Sequence, residues 1–398
     1  MRRTAIASLR RNPLAYRANA AVKSWLLESR RRRLLRRYAS AVPVSDADAF
    51  AAMRARLAER GVRLRAQSRG ALNLFWVGAN ESQDNGGLLR GLSLFGRVEV
   101  FRSAAGRYGP RYPVGSPVDP AVVAQNDAAL EAQVAAAQQR GPLDALLGQM
   151  WRYVYSPEAL GRIAALGIPM INISMDDRLP ELWLERRGLR LGAVGLGRVT
   201  DLVLTTSPET RAWYRTEGVP AAYFPLASDP TLFSPSGEYR YDVLFVGSRY
   251  GYRERLVRTL RRREIPVTVY GPGWPDGSLD GPQVARAFSS ARIVLGVGTV
   301  AHTSHTYTLK LRDFDAPMSG ALYVTHRNPD LLALYREDQE IVCYESADEC
   351  ARKLKHYLSN EADRLRIATA GRERARADYT WEARFADLFH RIGLLAAD

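Results

Sequence analysis

Short apolar runs alternate with amphipathic stretches along most of the chain beyond residue 70. The first group of predicted strands comprises residues 72–78, 97–102, 169–175 and 201–207, and the second comprises residues 241–247, 266–271, 292–298, 321–325 and 340–346. An Ala-rich helix is predicted at 120–141. Strands that alternate with helices are typical of parallel sheets covered by helices on both faces. The pattern therefore predicts an α/β fold with two doubly wound, Rossmann-like domains facing a cleft.

The predicted domain boundaries follow from this grouping. The stretch FSPSGEYRYD at 233–242 has the composition of a linker and separates the two groups of strands. We expect a basic helical extension at 1–68, a first domain at 69–233, a second domain at 234–376, and a C-terminal helix at 377–398 that packs back on the first domain.

Most of the positive charge lies in the N-terminal segment. Residues 1–40 account for +11 of the formal charge of +15, with a peak at Arg30–Arg37. Leucines and Trp25 between the arginines predict one or two basic amphipathic helices. The segment is either a solvated tail or a contact with an anionic membrane surface. Its local character argues against a nucleic-acid-binding face.

Composition limits the setting of the protein. No apolar run reaches the roughly 18 residues of a membrane span, and no signal-peptide core follows the N-terminal arginines. Cys343 and Cys350 match no zinc or redox spacing, which favours a reducing compartment. We therefore expect a cytoplasmic protein that is soluble or peripheral at the inner face of the membrane.

The loop after the first strand of the second group suggests a phosphate site. In DVLFVGSRYGYR, a glycine at the strand end lets backbone N–H groups approach an anion at the helix N-terminus. Arg and Ser side chains there add donors. The candidates are Gly247, Ser248, Arg249 and Arg253. The next strand ends in TVYGPGWPDG, where Gly273 and Trp274 either form an ordinary turn or lie near a nucleotide base.

The segment TLKLRDFDAPMSG places charges beside an apolar stripe. If a helix spans residues 311–319, Arg312 and Asp315 share one edge, and Lys310 lies in the preceding loop. Two cations for a diphosphate and an acid for a ribose diol fit a nucleotide sugar. The alternative is an ion pair between Arg312 and Asp315 within the helix.

The order of these motifs resembles a known family. YDVLFVGSRYGYR, VYGPGWPDG, LKLRDFDAPMSGALYVT and IATAGRERARADYTWEARF together look like the C-terminal domain of GT-B glycosyltransferases, in the group related to the spore-maturation CgeB proteins. The resemblance covers roughly 241–385. It implies a first domain for the acceptor, a second for the nucleotide-sugar donor, transfer of a hexosyl or related sugar, and no cofactor or metal.

The resemblance also implies roles for single residues. The family's ribose-binding acid, usually Glu, corresponds to Asp315. A further Glu found eight residues earlier in retaining enzymes corresponds to Tyr307, so His302 or His305 becomes a candidate for the donor-sugar contact. An inverting enzyme also needs a base, for which Asp84, Asp176 and Asp177 follow predicted strands of the first domain.

Two other functions remain open at this point. A GT-B scaffold without catalysis, acting as a membrane-surface or partner-binding protein, is favoured by Tyr307 and by Asp in place of Glu. A nucleotide-sugar epimerase would share the fold. The expected partners are a nucleotide sugar, an unknown acceptor and an anionic membrane surface contacted through residues 1–40.

Overall fold

A computed structural model describes residues 13–114, 118–186, 188–300, 303 and 306–396. Two parallel sheets, each flanked by helices, form the body of the molecule. The fold class predicted from the sequence is confirmed.

The first sheet has six strands in the order β2-β1-β3-β4-β5-β6. The strands are β1 (Leu72–Val77), β2 (Gly96–Val100), β3 (Ala145–Gly148), β4 (Met170–Ser174), β5 (Leu202–Thr205) and β6 (Ala221–Tyr223). All of its pairings are parallel. Because parallel strands need crossover connections, every carboxyl end lies at the same edge.

The second sheet has five parallel strands in the order β11-β10-β9-β7-β8. The strands are β7 (Tyr241–Val246), β8 (Val267–Tyr270), β9 (Ala291–Leu295), β10 (Leu322–His326) and β11 (Val342–Tyr344). The chain order changes direction beside β7 and β9, where ligands of doubly wound sheets bind.

Fifteen α-helical segments complete the described part of the chain. They are α1 (Pro13–Arg37), α2 (Asp46–Glu59), α3 (Glu81–Gln83), α4 (Leu89–Ser93), α5 (Pro120–Arg140), α6 (Pro157–Ala164), α7 (Pro180–Trp183), α8 (Thr210–Thr216), α9 (Gly251–Arg262), α10 (Gly281–Ser289), α11 (Arg312–Met318), α12 (Pro329–Leu332), α13 (Ala347–Ser359), α14 (Glu361–Asp378) and α15 (Trp381–Ile392). A π-helical turn at Asp84–Leu88 links α3 to α4, and a 3₁₀ turn spans Ala193–Leu196. None of these helices is long and apolar enough to cross a bilayer.

Both ends of the described chain pack on the first domain. In α15, Phe389 contacts Phe95 edge-on at 5.3 Å between ring centroids, and Phe385 packs near Phe224. Near the end of α1, Leu34 is fully buried, and Tyr38 stacks on Trp213 at 5.3 Å. These apolar contacts anchor both terminal helices to the body.

Candidate functional site

The carboxyl ends of both sheets face one cavity of about 420 Å³. The first domain contributes Ser82, Gln83, Gly86, Met175 and Asp176 to its lining, and the second domain contributes the loop after β7, the first turn of α9, part of α10 and residues 309–312 and 315. Seven of the residues proposed from the sequence line it: Asp176, Gly247, Ser248, Arg253, Lys310, Arg312 and Asp315.

The loop between β7 and α9 brings backbone close to two guanidinium groups. A Cβ atom added at Gly247 would lie 3.0 Å from Arg312 Nη1 and 3.3 Å from Arg253 Nη1. Within the described part of the chain, the side chain of the N-cap residue makes no capping hydrogen bond to the first turn of α9. The site therefore combines an uncapped helix N-terminus with two cations, which is a favourable arrangement for an anion.

Arg253 and Arg312 are both buried, with exposed fractions of 7% and 8%. Among the described residues, neither has a carboxylate within 4 Å, and the Nε atom of each lacks a hydrogen-bond partner. Burial, followed by the charge of Arg312, lowers the pKa of Arg253 to about 10, so Arg253 still carries its charge at neutral pH. Burying two like charges without an anion is costly.

Other groups hold the two guanidiniums in place. Arg253 Nη1 donates to the Ser248 carbonyl at 3.3 Å, and its guanidinium lies 4.4 Å from the ring centroid of Tyr250. Arg312 Nη1 donates to the Val246 carbonyl. Both guanidiniums lie over the ring of Phe245. These contacts fix the groups without neutralising them.

Lys310 lies in the turn before α11 and reaches across to the first domain. Its Nζ atom is 2.6 Å from Asp176 Oδ1, which also accepts a hydrogen bond of 2.8 Å from Thr308 Oγ1. Burial opposes the charge on Asp176, but Lys310 and Thr308 outweigh it and lower the pKa of that carboxyl. The pair is part of the cavity wall.

Asp315 follows Arg312 by one turn of α11, and its exposed fraction is 7%. Burial raises its pKa well above the ordinary value, although Ser228 and Arg312 oppose the shift. The ion pair between Arg312 and Asp315 that the sequence left open is absent from the described contacts, so both groups face the cavity without a direct bond between them. Asp313 serves the fold instead, because it accepts from the Lys310 backbone N–H at 2.7 Å and from Tyr323.

Asp84 lies in the first domain, below the cavity wall. Its carboxylate accepts from Tyr108, from Trp76 Nε1 at 3.2 Å and from Gln149 Nε2 at 3.4 Å. Burial raises the pKa of Asp84 to about 6, although hydrogen bonds from Tyr108 and Trp76 oppose the shift. The buried position favours a structural role for this candidate base.

Asp177 is also buried beneath the cavity. It accepts from Ser174 Oγ and Thr205 Oγ1 at 2.6 Å each and from Tyr214 at 2.9 Å. Burial raises its pKa to about 6. Asp177 thereby joins the ends of β4 and β5, while the adjacent Asp176 turns toward the second domain.

Three proposed donor-binding residues lie outside the cavity lining. The Trp274 indole donates to the Gly247 carbonyl at 2.8 Å, so it supports the loop instead of offering a face to a base. Arg249 stacks on Trp274 at 5.4 Å and pairs with Glu254 at 2.7 Å. Gly273 has a φ of +89° in the same turn. His302 and His305 fall outside the described residues.

Two residues that the sequence interpretation missed complete the contact between the domains. Thr308 binds Asp176, and Arg178 donates to the Tyr307 carbonyl at 2.8 Å and pairs with Asp330 and Glu209. Both lie within two residues of a candidate in the sequence. Their closeness in sequence to Lys310 and Asp176 could have identified them as candidates.

Comparison with known proteins agrees with the fold. A family model described as glycosyl transferase-like matches residues 252–390. No curated protein sequence matches the chain significantly.

Three of the similar solved structures share the fold of this chain. HepE of Anabaena in complex with UDP-glucose is 13% identical over 80% of this chain and 100% of its own, with a TM-score of 0.56. Sucrose-phosphate synthase of Thermosynechococcus elongatus is 12% identical over 80% of this chain and 99% of its own, with a TM-score of 0.53. A glycosyltransferase of Rickettsia africae is 8% identical over 81% of this chain and 98% of its own, also with a TM-score of 0.53. At these identities the likeness establishes a GT-B fold.

Proposed function

We propose that the protein transfers a sugar from a nucleoside diphosphate donor to a hydroxyl group of an acceptor. The observation that carries this proposal is the pair of buried, unneutralised guanidiniums of Arg253 and Arg312 beside Lys310 in the cavity between the domains. A diphosphate supplies the anion that such a pair lacks.

The proposed chemistry uses these cations at the leaving group. Sugar transfer develops negative charge on the departing diphosphate while the anomeric carbon gains cationic character. Preorganised positive groups in a partly dry cavity stabilise that charge as it forms. Arg253, Arg312 and the Gly247 loop are suited to this role, and Asp315 is suited to accept from a ribose diol.

Asp176 is the best candidate for a base on the acceptor. It lines the cavity from the first domain, whereas Asp84 and Asp177 are held by buried donors. The acceptor hydroxyl would give its proton to Asp176 as its oxygen bonds to the anomeric carbon. The bond from that carbon to the diphosphate breaks, and its electron pair leaves with the diphosphate.

The comparisons support this proposal at the level of fold and donor class. HepE was solved with UDP-glucose, and the family model covers the segment that contains Arg253, Lys310, Arg312 and Asp315. A hexosyl donor, the CgeB-like subtype and independence of metal are finer parts of the proposal. They rest on the resemblance in sequence alone.

Turnover distinguishes the proposal from its rivals. The purified protein should slowly release free nucleoside diphosphate from one member of a panel of nucleotide sugars. A cell-envelope extract that supplies an acceptor should accelerate this release. Donor binding without any release would favour the inert scaffold, and conversion of one nucleotide sugar into another would favour an epimerase.

We further propose that α1 holds the protein at an anionic membrane surface on the cytoplasmic side. Val22 and Trp25 in this helix are 55% and 67% exposed. Among the described side chains, Arg30, Arg33 and Arg36 have no carboxylate within 4 Å. Apolar side chains and free arginines on one helix suit an interfacial position. An acceptor carried by a lipid or an envelope glycan would then lie within reach.

A further inference from the structure

Three cationic side chains line the cavity: Arg253, Lys310 and Arg312. One of them, Lys310, forms an ion pair with Asp176. Asp176 comes from the first domain, and Lys310 and Thr308 come from the second. The side chains of Lys310 and Asp176 are 19% and 35% exposed, so both are accessible from the cavity. Lys310 is therefore the cation that already has an anionic partner.

The backbone at Asp176 also marks this contact as unusual. Its φ is +61°, in the left-handed region that non-glycine residues seldom adopt. Such strain persists where surrounding contacts enforce it and clusters at functional sites. Two residues later, Arg178 ties the same loop to Asp330 and to the Tyr307 carbonyl. Arg178 therefore gives this loop a second attachment to the second domain, independent of Lys310.

We infer that Asp176 is a catalytic base that is paired with Lys310 in the unliganded protein. When the donor binds, its diphosphate replaces Asp176 as the partner of Lys310, and the carboxylate is released. This inference rests on the proposed function and adds an order of events to it. The donor binds first, and the carboxylate becomes free for the acceptor only in the donor complex.

The electrostatics favour this order. Lys310 and Thr308 hold the pKa of Asp176 low in the unliganded protein, and the carboxyl is then a weak base. The charged groups near it are Lys310, Arg253 and Asp177. When a diphosphate withdraws Lys310 and adds negative charge nearby, the pKa of Asp176 rises. The base gains strength when a donor is present, which suppresses wasteful proton transfer without one.

Asp176→Asn tests the inference because it removes the charge and keeps the shape. The variant should bind a nucleoside diphosphate about tenfold more tightly, since the internal competitor is gone. The same variant should transfer sugar at least about 100-fold more slowly, since the base is gone. Asp176→Gly should behave likewise and accepts a positive φ without strain. Isothermal titration with UDP and ADP, followed by single-turnover assays, gives both quantities.

Two further variants complete the test. Lys310→Met should weaken diphosphate binding. The control Glu131→Gln removes a carboxylate of the first domain that lies outside the cavity lining and pairs with Arg162 of the same domain, and it should change the affinity less than about twofold. Weaker or unchanged diphosphate binding in both Asp176 variants would overturn the inference while leaving the proposed function standing. If the wild-type protein binds no nucleoside diphosphate, the proposed function itself fails.

Discussion

At Arg253, burial of a positive charge opposes folding, whereas the proposed binding of a diphosphate requires that charge. Its guanidinium is buried beside that of Arg312, and the charge of Arg312 helps to lower its pKa. A hydrogen bond to the Ser248 carbonyl and the ring of Tyr250 compensate only in part. Such local conflict is expected at a binding site, where the ligand supplies the missing partner.

Arg253→Met separates the effect of this charge on stability from its effect on diphosphate binding. The variant keeps the apolar stem and removes the charge, so the melting temperature of the unliganded protein should stay constant or rise. Affinity for a nucleoside diphosphate should fall by about 1.5–3 kcal/mol, the usual contribution of a hydrogen bond to a charged group. Differential scanning fluorimetry and titration calorimetry measure the two effects. Arg258→Met, in the same helix but outside the cavity lining, is the matched control. Equal losses for nucleoside and nucleoside diphosphate would contradict the phosphate assignment.

Asp84 provides a prediction about pH. Burial raises its pKa to about 6, above the ordinary value of 3.8. The folded protein therefore retains a proton that the unfolded chain loses, and the stability from Asp84 is present at low pH and lost as pH rises from about 4 to 6. Asp84→Asn removes this titration. The difference in unfolding free energy between variant and wild type should shift by about 2 kcal/mol in favour of Asn between pH 4 and pH 7. Urea denaturation across that range measures the shift, and a constant difference would show that Asp84 titrates normally.

The candidate site could be predicted from sequence only where the side-chain directions follow from one local element. Arg312 and Asp315 lie one helical turn apart, so a short predicted helix was enough to place them together. The sequence also placed Asp84, Asp176 and Asp177 at strand ends. It could not show that only Asp176 turns toward the cavity, because that direction depends on buried donors from distant segments such as Tyr108 and Tyr214.

At the level of elements, every predicted strand exists, but two strands of the first sheet were missed. β3 and β6 have four and three residues, and neither contains Val or Ile. Short apolar runs without β-branched residues carry little strand signal. β3 is stabilised by pairing with β1 and β4, and β6 by pairing with β5. These partners are distant in sequence, so a short sequence window cannot predict the pairing.

The exposed face of α1 leads to a prediction about membranes. Replacing Arg30, Arg33 and Arg36 by Glu should abolish cosedimentation with anionic vesicles, since each arginine near such a surface contributes about 1 kcal/mol. Donor binding should not change. The control replaces Arg255, Arg258 and Arg262 in α9 by Glu, which alters net charge equally at another surface. Binding of the wild type should also weaken with added salt. If the control reduces vesicle binding as strongly, net charge alone explains the effect and α1 has no special role.

At the scale of the whole molecule, the two domains supply different groups to the cavity. All three cations and Asp315 belong to the second domain, whereas the proposed base belongs to the first. Arg178 crosses between them, with Glu209 on its own side and Asp330 on the other. The sequence predicted two domains and a cleft between them. It could not predict this crossing contact, because Arg178 and Asp330 are 152 residues apart.

Arg178→Met should therefore separate donor binding from transfer. Loss of this partly buried bridge should cost about 1–3 kcal/mol of interdomain contact. The affinity for a nucleoside diphosphate should not fall, because the cations stay assembled within the second domain. Transfer should slow by at least about tenfold, because the loop that carries Asp176 loses its fixed position. Titration calorimetry and single-turnover kinetics measure the split, and small-angle scattering should show a broader range of domain separations. Arg327→Met, whose partners Glu337 and Glu345 lie in its own domain, should affect neither binding nor transfer. Parallel loss of affinity and turnover in Arg178→Met would mean that the contact between the domains builds the donor site itself.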